Sequence, residues 1–342
     1  MGSGPRSPAR TPEKLALSYT LGYSGSSSFP FSVRGLPLSM SLLHNFLVGG
    51  KYEKALVLGG GAARGFAHVG AIRALEEVGF RPDLVVGCSM GALVGAFYAD
   101  GVKSHIMRGI TRMVSGTKKK ASDFIPAKLS SSALFDASKI EEFLVDFFGL
   151  RRIEELSVPF ACVAVDIVEA EELVFDSGLI APAVRASISI PGVFPPLRRG
   201  KMILVDGGLL DPVPVRVARD MGAEKVLAVN VISRKKRNLK RIALKKPLGV
   251  ERKTKLLAEI VHEIERLREF NIFRLTEKAV LTMEAAIVEG CLTGTGAPDL
   301  VIDLPMEDIG YMEFHRAEEA AERGYLIAKT VISSEAWRDF LK

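Results

Sequence analysis

Apolar and polar positions along this chain fall into blocks of changing period. Ala55 to Leu58 is a short unbroken apolar run, the pattern of a strand buried on both faces of a parallel sheet. A glycine cluster ends it. Beyond the cluster, Phe66, Val69, Ile72, Leu75 and Val78 recur at helical spacing, while Arg73, Glu76 and Glu77 fall off the stripe. Gly79 follows as a C′ residue. DLVVG then predicts a second strand, GCSMG a turn and ALVGAFYADG a second helix. Strand, turn and helix in repeated order predict a parallel sheet with helices packed on it.

The pattern continues downstream. SKIEEFLVDFFG predicts an amphipathic helix with Ser138 as N-cap and Glu141 at the capping-box position. VPFACVAVDIV and EELVFDSG predict strands that can pair as a hairpin. LIAPAVRASISIPGVFPPL predicts a helix that ends before Pro191. MILVDGGLLDPVPV reads as a strand running into a turn, VPVRVARDMG as a helix and KVLAVNVI as a strand. A helical segment of roughly Lys253 to Glu289, a strand at DLVIDL and a closing helix at Met312 to Ile332 complete the chain.

Composition changes this picture little. With 342 residues, 48% of them hydrophobic and 25% charged, the chain can fill a core and is not broadly disordered. Residues 1–50 differ, being rich in Ser, Gly, Pro and Arg, and predict a flexible tail; the shift also admits a start at Met40. The expected organisation is that tail, a core at 51–232, a basic loop at 233–255, and a C-terminal helical part of the same domain at 256–342. Three sparse cysteines, Cys88, Cys162 and Cys291, argue against a disulfide framework and for a reducing compartment. No apolar run reaches the roughly 20 residues a membrane helix needs, and LPLSMSLLHNFLVGG fits a signal peptide poorly. A cytoplasmic location is expected, with peripheral contact at the inner membrane surface.

Charge matters through its placement. The net charge is +6, and Ser233 to Lys255 concentrates the positive residues, with Leu239, Ile242, Leu244 and Leu248 between them. Such a stretch is either a solvated loop or a contact for an anionic bilayer. Nucleic acid is not expected, because stacking aromatics are missing from it. Thr117 to Phe135 is a candidate lid.

The chemistry centres on GCSMG. Its pattern G-x-S-x-G needs a serine on a sharp strand-to-helix turn, and here a strand precedes and a helix follows. Gly87 and Gly91 allow neighbouring chain to approach, and the following helix points free amides at the site. Ser89 is the candidate nucleophile, against the plainer reading of a packing loop. Cys88 is expected to face the core as a small hydrophobe. GGGAARG, Gly59 to Gly65, also joins a strand to a helix. A dinucleotide loop fails on register, since Gly65 comes one residue late and Asp83 starts its strand. An oxyanion hole or a tight turn remains, with Arg64 holding the loop or facing an anionic substrate.

Activation of Ser89 needs a base. Of the five histidines, only His262 and His315 come late enough for a Ser-acid-His order, and both lie in charged helical segments. Asp206 is better placed, because a strand delivers it to Gly207 and Gly208. It either accepts from the serine hydroxyl or caps an Asp-Gly turn. Asp211, before Pro212, reads as turn chemistry.

GGGAARG, GCSMG, ASISIPGVFPPL and DGG, in this order, resemble the patatin-like phospholipase family over about residues 52–232. The resemblance implies an α/β three-layer sandwich with a mostly parallel central sheet. It further implies ester hydrolysis of lipids by a Ser-Asp dyad through an acyl-enzyme, with no cofactor and no metal. Ser89 would be the nucleophile, Asp206 the base, and the Gly60 and Gly61 amides the oxyanion donors, with Gly59, Arg64 and Gly65 completing the loop. The family's block is often G-G-G-x-[RK]-G, and its third glycine falls on Ala62 here, which leaves open which amides face inward. A histidine-using esterase or acyltransferase, and a non-catalytic lipid-binding module, are the competing expectations. The oligomeric state is not specified.

Overall fold

The computed structural model describes residues 52–116, 138–234, 272–294 and 296–342. The expected tail, the lid segment, His262 and the basic stretch beyond Arg234 lie outside the described residues.

The first half holds β1 (Tyr52–Leu58), a 3-10 turn (Ala62–Phe66), α1 (Ala67–Glu77), β2 (Leu84–Cys88), α2 (Met90–Ala99), α3 (Ser104–Gly116) and α4 (Ser138–Phe148). The middle holds β3 (Phe160–Asp166), β4 (Glu171–Phe175), α5 (Ile180–Ser187), β5 (Leu197–Arg199), β6 (Met202–Asp206), α6 (Val215–Asp220) and β7 (Ala223–Asn230). The last part holds α7 (Ile272–Thr293), β8 (Leu300–Asp303), α8 (Ala317–Ile332) and α9 (Glu335–Leu341).

One sheet runs in the order β5-β6-β3-β2-β1-β7-β8, with β4 also paired to β3. β3, β2, β1, β7 and β8 are mutually parallel, and β4, β5 and β6 pair antiparallel. The central strands are apolar on both faces because helices cover both. Leu56 and Leu58 pack with residues of α1, α2 and α8 on one side. Ala55 and Val57 pack with Val215 and Val217 of α6 and Val288 and Leu292 of α7 on the other. The result is a three-layer α/β sandwich. Leu56, Leu58 and Leu227 are almost wholly buried, and such a side chain contributes about 1.5–3 kcal/mol by leaving water.

Close backbone contact sets α8 against α1. A Cβ on Gly70 would lie 1.8 Å from the Ala321 carbonyl oxygen, and one on Gly324 2.2 Å from that of Ala67. Two glycines facing each other's chain let the helix axes approach closely.

Several expectations need adjusting. Ser138 is the first residue of α4, and Glu141 Oε1 accepts from Arg185 Nε at 3.0 Å, reaching across to α5. The closing helix starts at Ala317, after a 3-10 turn at Phe314–Arg316, because Glu313 folds back on the Gly310 amide at 2.8 Å. α7 runs past Glu289 to Thr293. α3, β5 and α9 are additional elements.

The registers bring the ends of two strands together. On β3, Val163 pairs with Cys88 of β2, and the next residue, Ala164, pairs with Asp206 of β6. β2 runs parallel to β3 and β6 antiparallel, so their C-terminal ends converge on one point.

Candidate active site

Ser89 stands at that point. It has φ 53° and ψ −123°, outside the range a non-glycine residue ordinarily adopts. The surroundings enforce this. A Cβ on Gly91 would lie 2.1 Å from the Leu58 carbonyl oxygen, and one on Gly87 2.5 Å from Ala92 Cα, so the turn is pressed between β1 and α2. The Ser89 amide donates to Ser187 Oγ at 2.9 Å. The Ser189 carbonyl accepts from the Asp206 amide at 3.0 Å. The end of α5 therefore holds both strand ends.

Ser89 Oγ donates to Asp206 Oδ2 at 2.5 Å. Asp206 Oδ1 accepts from the Gly208 amide at 2.8 Å, and the Cys88 thiol points at the same oxygen from 3.8 Å. Oδ2 is thus left to the serine. Burial pushes the Asp206 carboxyl up to about 6, opposed by the bonds from Ser89, Gly208 and Cys88. Cys88 packs in the core as expected; its thiol also faces the Asp206 carboxylate, and burial with that negative charge holds it protonated. Gly207 packs on β3, where a Cβ would lie 2.6 Å from the Val163 carbonyl oxygen.

The glycine block sits opposite. A Cβ on Gly60 would lie 3.4 Å from Ser89 Cβ, and one on Gly65 2.4 Å from Met90 Cγ. The expectation that the Gly60 amide faces the site is overturned, because it donates to the Pro212 carbonyl at 2.8 Å. The Gly59 amide donates to Val229. Among the described residues, the amides of Gly61, Ala62 and Met90 have no hydrogen-bond partner. Ala62, at the family's third glycine, has φ 46°, the left-handed conformation a glycine favours. Arg64 is a support: its Nε donates to the Ile309 carbonyl at 2.6 Å, and its guanidinium lies 4.9 Å from the Tyr311 ring centroid.

The patatin-like phospholipase family model matches residues 56–219. Those residues belong to the patatin-like phospholipase family. An uncharacterized NTE family protein of Mycobacterium bovis is 36% identical over 177 residues, covering 52% of this chain and 48% of that protein. Human patatin-like phospholipase domain-containing protein 6 is 35% identical over 198 residues, covering 54% of this chain and 14% of its own length. The chain thus spans about half the length of the mycobacterial relative and far less of the human one. The crystal structure of VipD from Legionella pneumophila aligns with 82% of this chain at 13% identity, with a TM-score of 0.43.

In this patatin-like domain the sequence motifs converge, and further groups join them. A cleft of about 320 Å³, part of it shared with solvent, opens above Ser89, with Ala62 and Met90 at its floor. Leu93, Ile140, Ile188, Ile190, Phe194 and Phe314 line it, so its wall is apolar. His68 is fully buried on α1, and its Nε2–H donates to the Gly59 carbonyl at 2.7 Å. Burial lowers it to about 4, so it is neutral and braces the glycine block.

Glu284 of α7 is 4% exposed and was invisible to the sequence reading. Its Oε2 accepts from the Tyr311 hydroxyl. Asp211 is more than a turn residue: it is buried near Glu172, accepts from the Cys291 thiol at 3.4 Å, and is pushed up to about 7 by burial and by Glu172. His315 is exposed and is not brought to Ser89. At the start of the basic stretch, Ser233 donates to Glu307 and Arg234 pairs with Glu289 and Asp303.

Proposed function

We propose that the protein is a serine acyl hydrolase that cleaves carboxylic ester bonds of lipids, with Ser89 as nucleophile and Asp206 as base. The observation that carries this reading is the 2.5 Å Ser89–Asp206 hydrogen bond at a strained turn below an apolar cleft. At neutral pH a carboxyl near 6 is ionised and still basic enough to take a proton. Ser89 Oγ attacks the ester carbonyl while its proton passes to Asp206 Oδ2. The tetrahedral oxyanion is met by free amides of the turn and the glycine block, for which Gly61, Ala62 and Met90 are the candidates. Asp206 returns the proton to the leaving alkoxide, which departs as an alcohol. Water, deprotonated by Asp206, then attacks the acyl carbonyl; the bond to Ser89 Oγ breaks, Asp206 returns the proton to Oγ, and the fatty acid leaves.

The substrate reading follows from the cleft. Its apolar wall suits an acyl chain, and the family match and the names of the relatives point to phospholipid esters. No cofactor enters this chemistry. The protein would act in the cytoplasm, with the Ser233 to Lys255 stretch drawn to an anionic bilayer at about 1 kcal/mol per basic residue. No described helix is long and apolar enough to cross a membrane.

The test is release of fatty acid from phospholipid vesicles and soluble esters. Wild type should be active, Ser89→Ala and Asp206→Asn inactive, and His262→Ala and His315→Ala active. Loss on removing either histidine would replace the dyad with a triad. Binding of vesicles without turnover would leave a non-catalytic module.

A further inference from the structure

The Ser89–Asp206 pair has a second acid beside it. Glu284 comes from α7, an element outside the residues matched by the family model. A Cβ built on Gly208 would lie 2.5 Å from Glu284 Oε1 and 3.2 Å from Asp206 Oδ1. Both carboxyl groups therefore border the small space that the glycine leaves open. The charged and titratable groups facing Glu284 are Asp206 from the end of β6, Cys88 from the end of β2, Arg64 from the 3-10 turn and Tyr311 from the loop after β8. Tyr311 joins two parts of the site. Its hydroxyl donates to Glu284 Oε2, its ring lies under Arg64, and its carbonyl accepts from the Ala63 amide at 3.0 Å. Glu284 is thus linked through one residue to the glycine block and lies across one glycine from the base.

We propose that Glu284 is a positioning residue that must keep its proton for the site to work. This rests on the Ser89–Asp206 reading above. As a neutral carboxyl, Glu284 leaves Asp206 the one negative charge beside Ser89 while it still accepts from the Tyr311 hydroxyl. As a carboxylate, it sets a second negative charge in a buried site where an oxyanion must form, and it opposes that step. No proton passes through Glu284; the hydroxyl proton still goes from Ser89 to Asp206 and on to the leaving group. Burial and the Asp206 charge push Glu284 up to about 8, against the Tyr311 bond and Arg64, so the neutral form holds at neutral pH.

The experiment is the pH profile of kcat/KM on a soluble ester between pH 5 and 10. It compares wild type, Glu284→Gln and Tyr311→Phe, with Ser89→Ala as the reference. Wild-type kcat/KM should fall about tenfold from pH 7 to pH 9, as expected for an essential acid near 8. In Glu284→Gln this alkaline fall should disappear, while the acid limb set by Asp206 stays in place. In Tyr311→Phe the alkaline fall should move to higher pH, because a bond that favours the charged form is gone. This second variant decides the matter where Glu284→Gln does not fold.

An alkaline fall that is the same in Glu284→Gln as in wild type overturns the proposal, as does wild-type activity that stays level to pH 9. A variant slowed equally at every pH also overturns it, since that is a packing role alone. Activity that survives Ser89→Ala marks a different failure: the dyad reading falls, and the role of Glu284 with it.

Discussion

Replacing Asp206 by Asn should abolish hydrolysis and stabilise the fold. Asp206 is fully buried, and burial lifts its carboxyl from 3.8 to about 6. Its folded-state proton affinity exceeds that of the unfolded chain. The associated stability is complete below the unfolded value near 4 and is lost as pH rises through 6. A shift of about two units at 1.4 kcal/mol each puts the loss at about 3 kcal/mol. Asn has nearly the same shape, can still accept from Gly208, and can donate to Ser89 Oγ without bringing a buried charge. Urea denaturation followed by the fluorescence of the single tryptophan, Trp337, reads the difference. The variant should match wild type near pH 4 and gain about 3 kcal/mol by pH 8. A variant less stable than wild type at pH 8, or a gain independent of pH, would refute the reasoning. The hydrogen bonds to the carboxylate would then outweigh its desolvation.

Other expectations follow from the same geometry. Ester turnover should fall about tenfold per pH unit below 6, as Asp206 protonates, and a rate profile from pH 4.5 to 8 checks this. Ser187→Ala leaves the buried Ser89 amide unpaired and should cost about 1–3 kcal/mol in denaturant titration. Gly70→Val drives a side chain into the Ala321 carbonyl and should destabilise by about 3 kcal/mol or more, seen in thermal melts. Leu93→Trp narrows the cleft, and turnover of long-chain esters should drop more than that of acetate esters.

The parallel strands were legible because burial on both faces leaves an unbroken apolar run, as at Ala55 to Leu58. Ser89 and Asp206 were legible because each ends such a run among glycines, and both the turn and the close backbone contacts need those glycines. What the pattern did not contain is whatever depends on a distant segment crossing the site. The Gly60 amide reads as free until the Pro212 carbonyl is seen to cover it. Glu284 lies in TMEAAIVEG, where a glutamate reads as a solvated helix residue; only the packing of α7 near Gly208 buries it. Asp211 read as a turn residue for the same reason, since Glu172 and Cys291 reach it from other elements. α3 was readable, since Ile106, Met107, Ile110, Met113 and Val114 recur at helical spacing, whereas the three residues of β5 carry no period.

The most direct measurement of the central claim is the site of covalent capture. The protein is treated with a fluorophosphonate, digested, and mapped by mass spectrometry. The adduct is predicted on Ser89 alone, forming readily in wild type and in His315→Ala, and lost in Ser89→Ala and Asp206→Asn. An adduct on another residue, or labelling of Ser89 that proceeds at the wild-type rate in Asp206→Asn, would contradict the account.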